Sequence, residues 1–502
     1  YLSTEDVLHF TNQNGISGSW NPTSGTLTLS GTSSVANYQT ALRTIAYENT
    51  NTDDPSTTSR QVNFTVNDGS DNSNTVSRII NIAGSNDPPE LNNIETTPVS
   101  YTEEQPPVSI TSTLNVIDTD SPNLVSATIR IISGYASGQD ILHFSNQNGI
   151  SGSWNSGIGR LNLTGSATVA NYQTAIRSIT YENLNTTNPS TTARTIRFVV
   201  NDGTSNSNTV QRTLNVIAVN DEPVLGNIET STINYTEGQG EVNVTSTITV
   251  SDDDNTTLTS ASVQITSGYV STEDILRFTN QLGITGNWIA GTGTMSLSGT
   301  ATLANYRTAL RNIRYENTNT TNPSTVSRTV SFRVNDGTDN SNIVSRNISI
   351  NSTNNPPVLN NIETTALSYT EGQAPVGITS TITVQDVDNA NLASATVRFT
   401  SGYNSSEDLL NFSSQNGITG SWNSVSGILT LSGSSSVANY RTALRSITYS
   451  NSNNNNPSTI PRTVAFRVND GTSNSNEVSR YITITAVNDA PVLSGIETTP
   501  LS

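Results

Sequence analysis

Hydrophobic and polar positions change rhythm along this chain in an order that keeps returning. Between positions 124 and 132 apolar residues alternate with polar ones, with Val125, Ala127, Ile129 and Ile131 in one phase. Alternation with period two predicts a half-buried strand. Short runs of the same kind predict strands at 99–101, 108–110, 113–116, 141–144, 149–154, 160–163, 195–200 and 209–216, each bounded by Gly, Ser or Asn. At Val169 the period lengthens. Val169, Tyr172, Ile176 and Ile179 fall at helical spacing, as do Val35, Tyr38, Leu42 and Ile45, and predict one short helix over 170–177 and its counterparts. Many short strands with frequent turns predict an all-β fold built of β-sandwiches.

The rhythm is a repeat. Trp20, Trp154, Trp288 and Trp422 stand 134 residues apart (20 to 154, 154 to 288, 288 to 422), and Gly69, Gly203, Gly337 and Gly471 keep the same interval. That period exceeds the roughly 20–50 residues of a solenoid unit and matches a whole domain. The expected division is 1–88, the later part of one repeat; 89–222, 223–356 and 357–490, three full repeats; and 491–502, the start of another. Tyr1 matches Tyr135 inside a repeat, so the chain reads as a window on a longer array. Trp154, Tyr172, Tyr181 and Phe198 are expected as core anchors rather than a stacking platform.

Composition narrows the partners. Hydrophobic residues are 32% and charged residues 12%, so amides and hydroxyls carry the surface. A net charge of −18 argues against nucleic acid and against insertion into or binding of an anionic membrane, and favours cations. Every basic residue is Arg, which excludes Lys–Asn isopeptide cross-links, and there is no cysteine. Stiffness must then come from elsewhere, with metal at the junctions as the candidate.

Acidic residues recur at fixed places. One class is Glu103, Glu237 and Glu371, in Tyr-Thr-Glu. A second is the pairs Asp118 and Asp120, Asp252 and Asp254, Asp386 and Asp388. A third is Glu48, Glu182 and Glu316, in Tyr-Glu-Asn, with Ser450 in the fourth copy. A fourth is Asp68, Asp202, Asp336 and Asp470, in Asn-Asp-Gly. The last precedes a proline: Asn86 and Asp87, Asn220 and Asp221, Asn354 and Asn355, Asn488 and Asp489. Asp-x-Asp on a strand would put both carboxylates on one side. Such oxygens suit Ca²⁺, which takes about 6–8 of them. Each motif alone is equally an ordinary turn former. Their recurrence together beside a junction points to calcium.

These residues carry a resemblance. Val200-Asn201-Asp202-Gly203, Val219-Asn220-Asp221-Glu222-Pro223, Glu103, and Asp252 with Asp254 resemble the motifs of the cadherin-like tandem repeats of giant bacterial surface proteins. The resemblance covers the whole chain, and departs in repeat length and in a shortened Asp–Gly turn. It implies Ig-like or cadherin-like sandwiches whose junctions pool calcium ligands from two repeats. For Asn220 and Asp221 the implied set is Glu103, Glu182, Asp252, Asp254 and Asp336. For Asn354 and Asn355 it is Glu237, Glu316, Asp386, Asp388 and Asp470; with Asn355 in place of Asp, this site should bind more weakly. At Asn488 and Asp489 the set keeps Glu371 but has Ser450 in place of Glu.

No catalytic constellation stands out. His9 and His143 share a repeat position with Arg277 and Asn411, which reads as a solvated strand face. Paired carboxylates lie at several junctions rather than in one cleft. The expected function is a non-enzymatic, calcium-stiffened stalk or filament segment of a bacterial surface adhesin, extracellular or secreted. The alternatives are repeats that themselves bind glycan or a partner protein, with avidity from near-identical copies, and self-assembly with other copies into an extracellular filament.

Overall fold

The computed structural model describes residues 1–495 and 498. It holds two compact units, Tyr1–Asp221 and Glu222–Ser502, built from one repeating plan.

The repeat at 89–222 shows the plan. Six strands form one sheet in the order Ser151–Asn155, Arg160–Thr168, Asn123–Ser133, Arg194–Asn201, Val210–Ile217, Val99–Thr102. The pairs are antiparallel except the last, where Leu214 aligns with Val99 in parallel. Asp140–His143, Thr180–Asn183 and Val108–Ser109 form a second sheet, and Glu90–Asn92 pairs with Asn115–Ile117. Inward residues of both sheets, among them Ile129, Leu161, Phe198 and Tyr181, share one buried core. The same arrangement with its own core recurs at 225–350 and 359–484.

Phase, rather than strand existence, is where the alternation misleads. Leu124, Ala127, Ile129 and Ile131 are buried, and Val125 is 37% exposed. A bulge between Leu124 and Ser126 adds one residue to the strand, which flips its face. Glu90–Asn92 and Thr180–Asn183 are also strands, beyond those expected from the alternation. The helix is Val169–Arg177, capped by the Thr168 hydroxyl, which accepts from Asn171 N. Tyr172, Tyr181 and Phe198 are fully buried anchors. Trp154 is half-buried and lies at the rim, edge-on to Tyr135 with ring centroids 6.3 Å apart.

Residues 1–88 hold the counterparts of the later elements, from Asp6–His9 to Val76–Ile80. Between Thr26–Ser30 and Arg60–Phe64, where the next repeat places Asn123–Ser133, an open cleft is lined by Leu27, Tyr38, Val62 and Phe64. At the other end, residues 491–495 carry no helix or strand; the remainder of the repeat expected at 491–502, apart from residue 498, lies outside the described residues. No helix among the described residues is long and apolar enough to cross a membrane.

Candidate metal centre

Each Tyr-Thr-Glu glutamate closes the end of its own repeat. Glu103 N donates to Ile217 O at 2.9 Å, and its Oε2 accepts from Val219 N at 2.8 Å. Glu237 does the same with Asn351 O and Thr353 N, and Glu371 with Thr485 O and Val487 N. The carboxylate is thereby held beside the two residues that follow, Asn220 and Asp221 in the first case. Glu103 is only 6% exposed, and its second oxygen, Oε1, is buried without a partner, as is Oε1 of Glu371. Glu237 differs: its Oε1 accepts from Asn355 Nδ2 at 3.1 Å.

At the opposite end of each repeat lies the Asp-x-Asp pair. It is a turn, not a strand, so side-chain alternation is not what brings the two carboxylates together. Asp118 Oδ1 accepts from Ser121 N at 2.8 Å and Asp120 N at 3.3 Å, and folds the pair back on itself. Asp252 and Asp386 repeat this with Asn255 N and Asn389 N. The outward oxygens, Oδ2 of Asp118, Asp252 and Asp386 and Oδ1 of Asp120, are buried without a partner. Burial raises the pKa of Asp118, Asp252 and Asp386, and the like charge of Asp120, Asp254 and Asp388 adds to it; for Asp252 the value reaches about 6.

The linker joins these ends. Asn86 Nδ2 donates to Asp202 Oδ2 at 2.9 Å, and Asp87 N to Asp120 Oδ2 at 2.9 Å. In the second unit Asn354 Nδ2 donates to Asp470 Oδ2 at 2.9 Å, and Asn355 N to Asp388 Oδ2 at 2.7 Å. Asn355 Nδ2 also reaches Thr321 O at 2.7 Å. Asp202 and Asp470 are at once turn formers and linker acceptors: Oδ1 accepts two backbone N–H groups of the Asn-Asp-Gly turn while Oδ2 faces the linker. Burial opposes ionisation in both, but the backbone and asparagine donors outweigh it and leave the pKa lowered. The linker at 354–355 thus gathers Glu237, Asp388 and Asp470, with Asp386 folded against Asp388. That at 86–87 gathers Asp120 and Asp202, with Asp118 beside them. Asp336 forms the same turn, accepting from Thr338 N at 2.6 Å, and Asp254 accepts from Asn255 Nδ2 at 3.0 Å. Asp68, in the first copy, accepts from Ser70 N and Asp71 N. Asn488 Nδ2 lies 3.4 Å from Asp489 O.

The Tyr-Glu-Asn glutamates are spoken for in another way. Glu182 Oε2 is 2.6 Å from His143 Nε2, Glu48 Oε2 is 2.7 Å from His9 Nε2, and Glu316 Oε2 is 2.5 Å from Arg277 Nε. Both partners lie on neighbouring strands of the smaller sheet, at diagonal positions. In the fourth copy Asn411 Nδ2 donates to Ser450 Oγ at 3.1 Å. Glu stays where its partner is His or Arg, and both members change only in the fourth copy, to Asn with Ser. Position 143 is partly solvated, as its tolerance implies, and Glu48, Glu182 and Glu316, expected as junction ligands, are each engaged in a cross-strand pair.

Among the described residues no three His, Cys, Asp or Glu side chains cluster as a metal-binding group. The carboxylates gathered at the linkers, with the Asn residues beside them, are hard oxygen donors of the kind that calcium takes. Six buried carboxylate oxygens left without a donor fit a cation there, because such groups are otherwise costly to bury.

Sequence reading passed over a second acidic site. Asp140 and Arg194 are buried, with Arg194 Nη2 2.9 Å from Asp140 Oδ1, and Tyr181 OH donates to the same oxygen at 2.5 Å. Asp6 with Arg60, Asp274 with Arg328 and Asp408 with Arg462 repeat it. Recurrence every 134 residues, from Asp140 to Asp274 and Asp408, was the available signal. This knot fixes the core and faces no linker.

No family model matches the chain. Over 360 residues it is 28% identical to Halomucin of Haloquadratum walsbyi (strain DSM 16790 / HBSQ001), a match that covers 69% of this chain and spans about 3% of that relative. Among solved structures it is similar to the protocadherin gamma B2 extracellular domains 1–5, at 12% identity and a TM-score of 0.29 over 97% of this chain and 74% of that one. Mouse cadherin-23 EC22-24 matches at 10% identity and 0.27, over 80% and 100%. Drosophila N-cadherin EC1-4 matches at 11% and 0.24, over 97% and 93%. The sandwich is given by the strand pairings above. These three solved chains are cadherin or protocadherin extracellular domains.

Proposed function

We propose that this chain is a non-catalytic stalk or filament segment of an extracellular surface protein, with repeats at 89–222, 223–356 and 357–490 whose junctions bind Ca²⁺. The observation that carries the reading is the set of six linker-side carboxylate oxygens, on Glu103, Asp118, Asp120, Asp252, Glu371 and Asp386, that are buried and accept no hydrogen bond. Ligands for the cation would be these groups with Asn86, Asp87, Asp202, Asn220, Asp221, Glu237, Asp254, Asp336, Asn354, Asn355, Asp388, Asp470, Asn488 and Asp489. The cation supplies charge neutralisation and fixes the linker; the chain's own hydrogen bonds from Asn86, Asp87, Asn354 and Asn355 pre-set the backbone around it. Similarity to Halomucin over part of a far longer chain supports a repeat segment of a large protein. Small-angle scattering in calcium and in chelator tests it. A particle that is extended in calcium and loses definition in chelator supports the stalk. A compact particle in both conditions refutes it.

A further inference from the structure

The outer face of the six-stranded sheet is not the same in every repeat. In the repeat at 89–222, Arg130 lies directly opposite Arg160 on one neighbouring strand and directly opposite Arg197 on the other. Residues paired this way point to the same side of a sheet, with strands about 4.8 Å apart. The row continues to Asn155 beyond Arg160 and to Gln211 beyond Arg197. It therefore reads Asn, Arg, Arg, Arg, Gln across five strands, with no carboxylate in it.

Three adjacent cations are unfavourable in a sheet unless something neutralises them. Nothing in the repeat does. None of the three arginines forms an ion pair, although the chain is strongly acidic and its Arg194 and Arg212 are both paired. Arg130 Nε donates weakly to Ile158 O at 3.3 Å. Nε of Arg160 and Nε of Arg197 are shut off from solvent and have no acceptor at all. Elsewhere the row is dismantled. The next repeat has Gln264, Thr294 and Ser331 at these positions, and the last has Arg398 with Ile428 and Ala465. Even that single Arg398 is neutralised, by Glu477 at 3.0 Å.

We infer that the Arg130–Arg160–Arg197 row is a binding site for oxyanion groups, with the carboxylates or sulfate esters of an acidic glycan as its ligand class. Guanidinium groups match planar and tetrahedral oxyanions through paired N–H donors. The flanking Asn155 and Gln211 amides suit the hydroxyls of a sugar. The site does not depend on calcium, and its test separates it from the junction reading.

The test uses the whole chain in chelator, with heparin oligosaccharides and oligogalacturonate as glycan probes and sodium sulfate as the free ion. The variant Arg130→Gln, Arg160→Thr, Arg197→Ser carries the residues of the next repeat, so the fold should tolerate it; Arg160→Thr alone serves if it does not. Titration calorimetry is expected to show at least one glycan bound by the native chain, an affinity that falls steeply as salt rises, and a loss of about tenfold or more in the triple variant. Sulfate should raise the native melting temperature above that in chloride at matched ionic strength, and leave the variant unmoved. Sulfate binding without glycan binding overturns the glycan assignment. Absence of any binding, or equal binding by the variant, overturns the site.

Discussion

Asn355 Nδ2 donates to Glu237 Oε1 at 3.1 Å, whereas the equivalent oxygens of Glu103 and Glu371, which stand beside linkers ending in Asp221 and Asp489, are buried with no donor. One amide thus does at its linker part of what a cation would do at the others. It donates a hydrogen bond to the glutamate and links it to Thr321 O, 2.7 Å away, without removing its charge. Asn355→Asp removes both donors and adds a like charge beside Glu237 and Asp388. In chelator the melting temperature of this unit should fall; with calcium present it should recover or exceed that of the native chain. Differential scanning calorimetry in the two buffers reads the gap. An unchanged gap would separate position 355 from any cation site.

The cross-strand pair of Arg277 and Glu316 is half-exposed, at 40% and 24%, so its worth is small. The double substitution Arg277→Asn with Glu316→Ser recreates the Asn411–Ser450 pair. We expect a change within about 1 kcal/mol by denaturant titration and no change in calcium affinity. A several-fold loss of calcium affinity would restore Glu316 as a ligand.

Arg328 is fully buried against Asp274, itself 3% exposed. Arg328→Met keeps roughly the volume but leaves the buried Asp274 without its partner. The cost should be about 3–5 kcal/mol, the scale of a buried pair broken on one side. Asp274→Asn in the same background should recover part of it. A loss below about 1 kcal/mol in chemical denaturation would show that the knot is not structural.

Glu229 and Glu363 take hydrogen bonds from a hydroxyl and backbone N–H groups, and although burial opposes it their pKa is lowered from 4.5 to about 2. A depressed folded-state pKa adds stability above the unfolded value. That contribution is present at neutral pH and is lost as pH falls from about 4.5 toward 2. Acid unfolding followed by circular dichroism should therefore lie inside this window, and Glu229→Gln should flatten the dependence of the repeat at 223–356. A chain whose stability holds constant from pH 5 to pH 2 would contradict it.

Strand positions were legible because alternation reports burial directly, and the helix because Val169, Tyr172, Ile176 and Ile179 share one face. The bulge at Leu124 was not, since one added residue leaves composition intact and shifts only the phase. The linker acids were legible as a set, through recurrence at the junctions. The pairing of Glu182 with His143 was not legible, because an acidic residue at a fixed place reads the same whether it faces a linker or a side chain on the next strand. The joint change to Asn411 and Ser450 in the fourth copy was the clue. The Arg130–Arg160–Arg197 row is scattered over 67 positions of sequence (130 to 197) and assembles only through strand register.

The most direct test of the central claim is a calcium titration of the intact chain by calorimetry, paired with melts in calcium, magnesium and chelator. The account predicts calcium binding with a rise in melting temperature that magnesium does not reproduce, and weakening of both by Asp386→Asn, whose second oxygen lies buried without a donor. Identical melts in calcium and chelator, with no heat of binding, would contradict it.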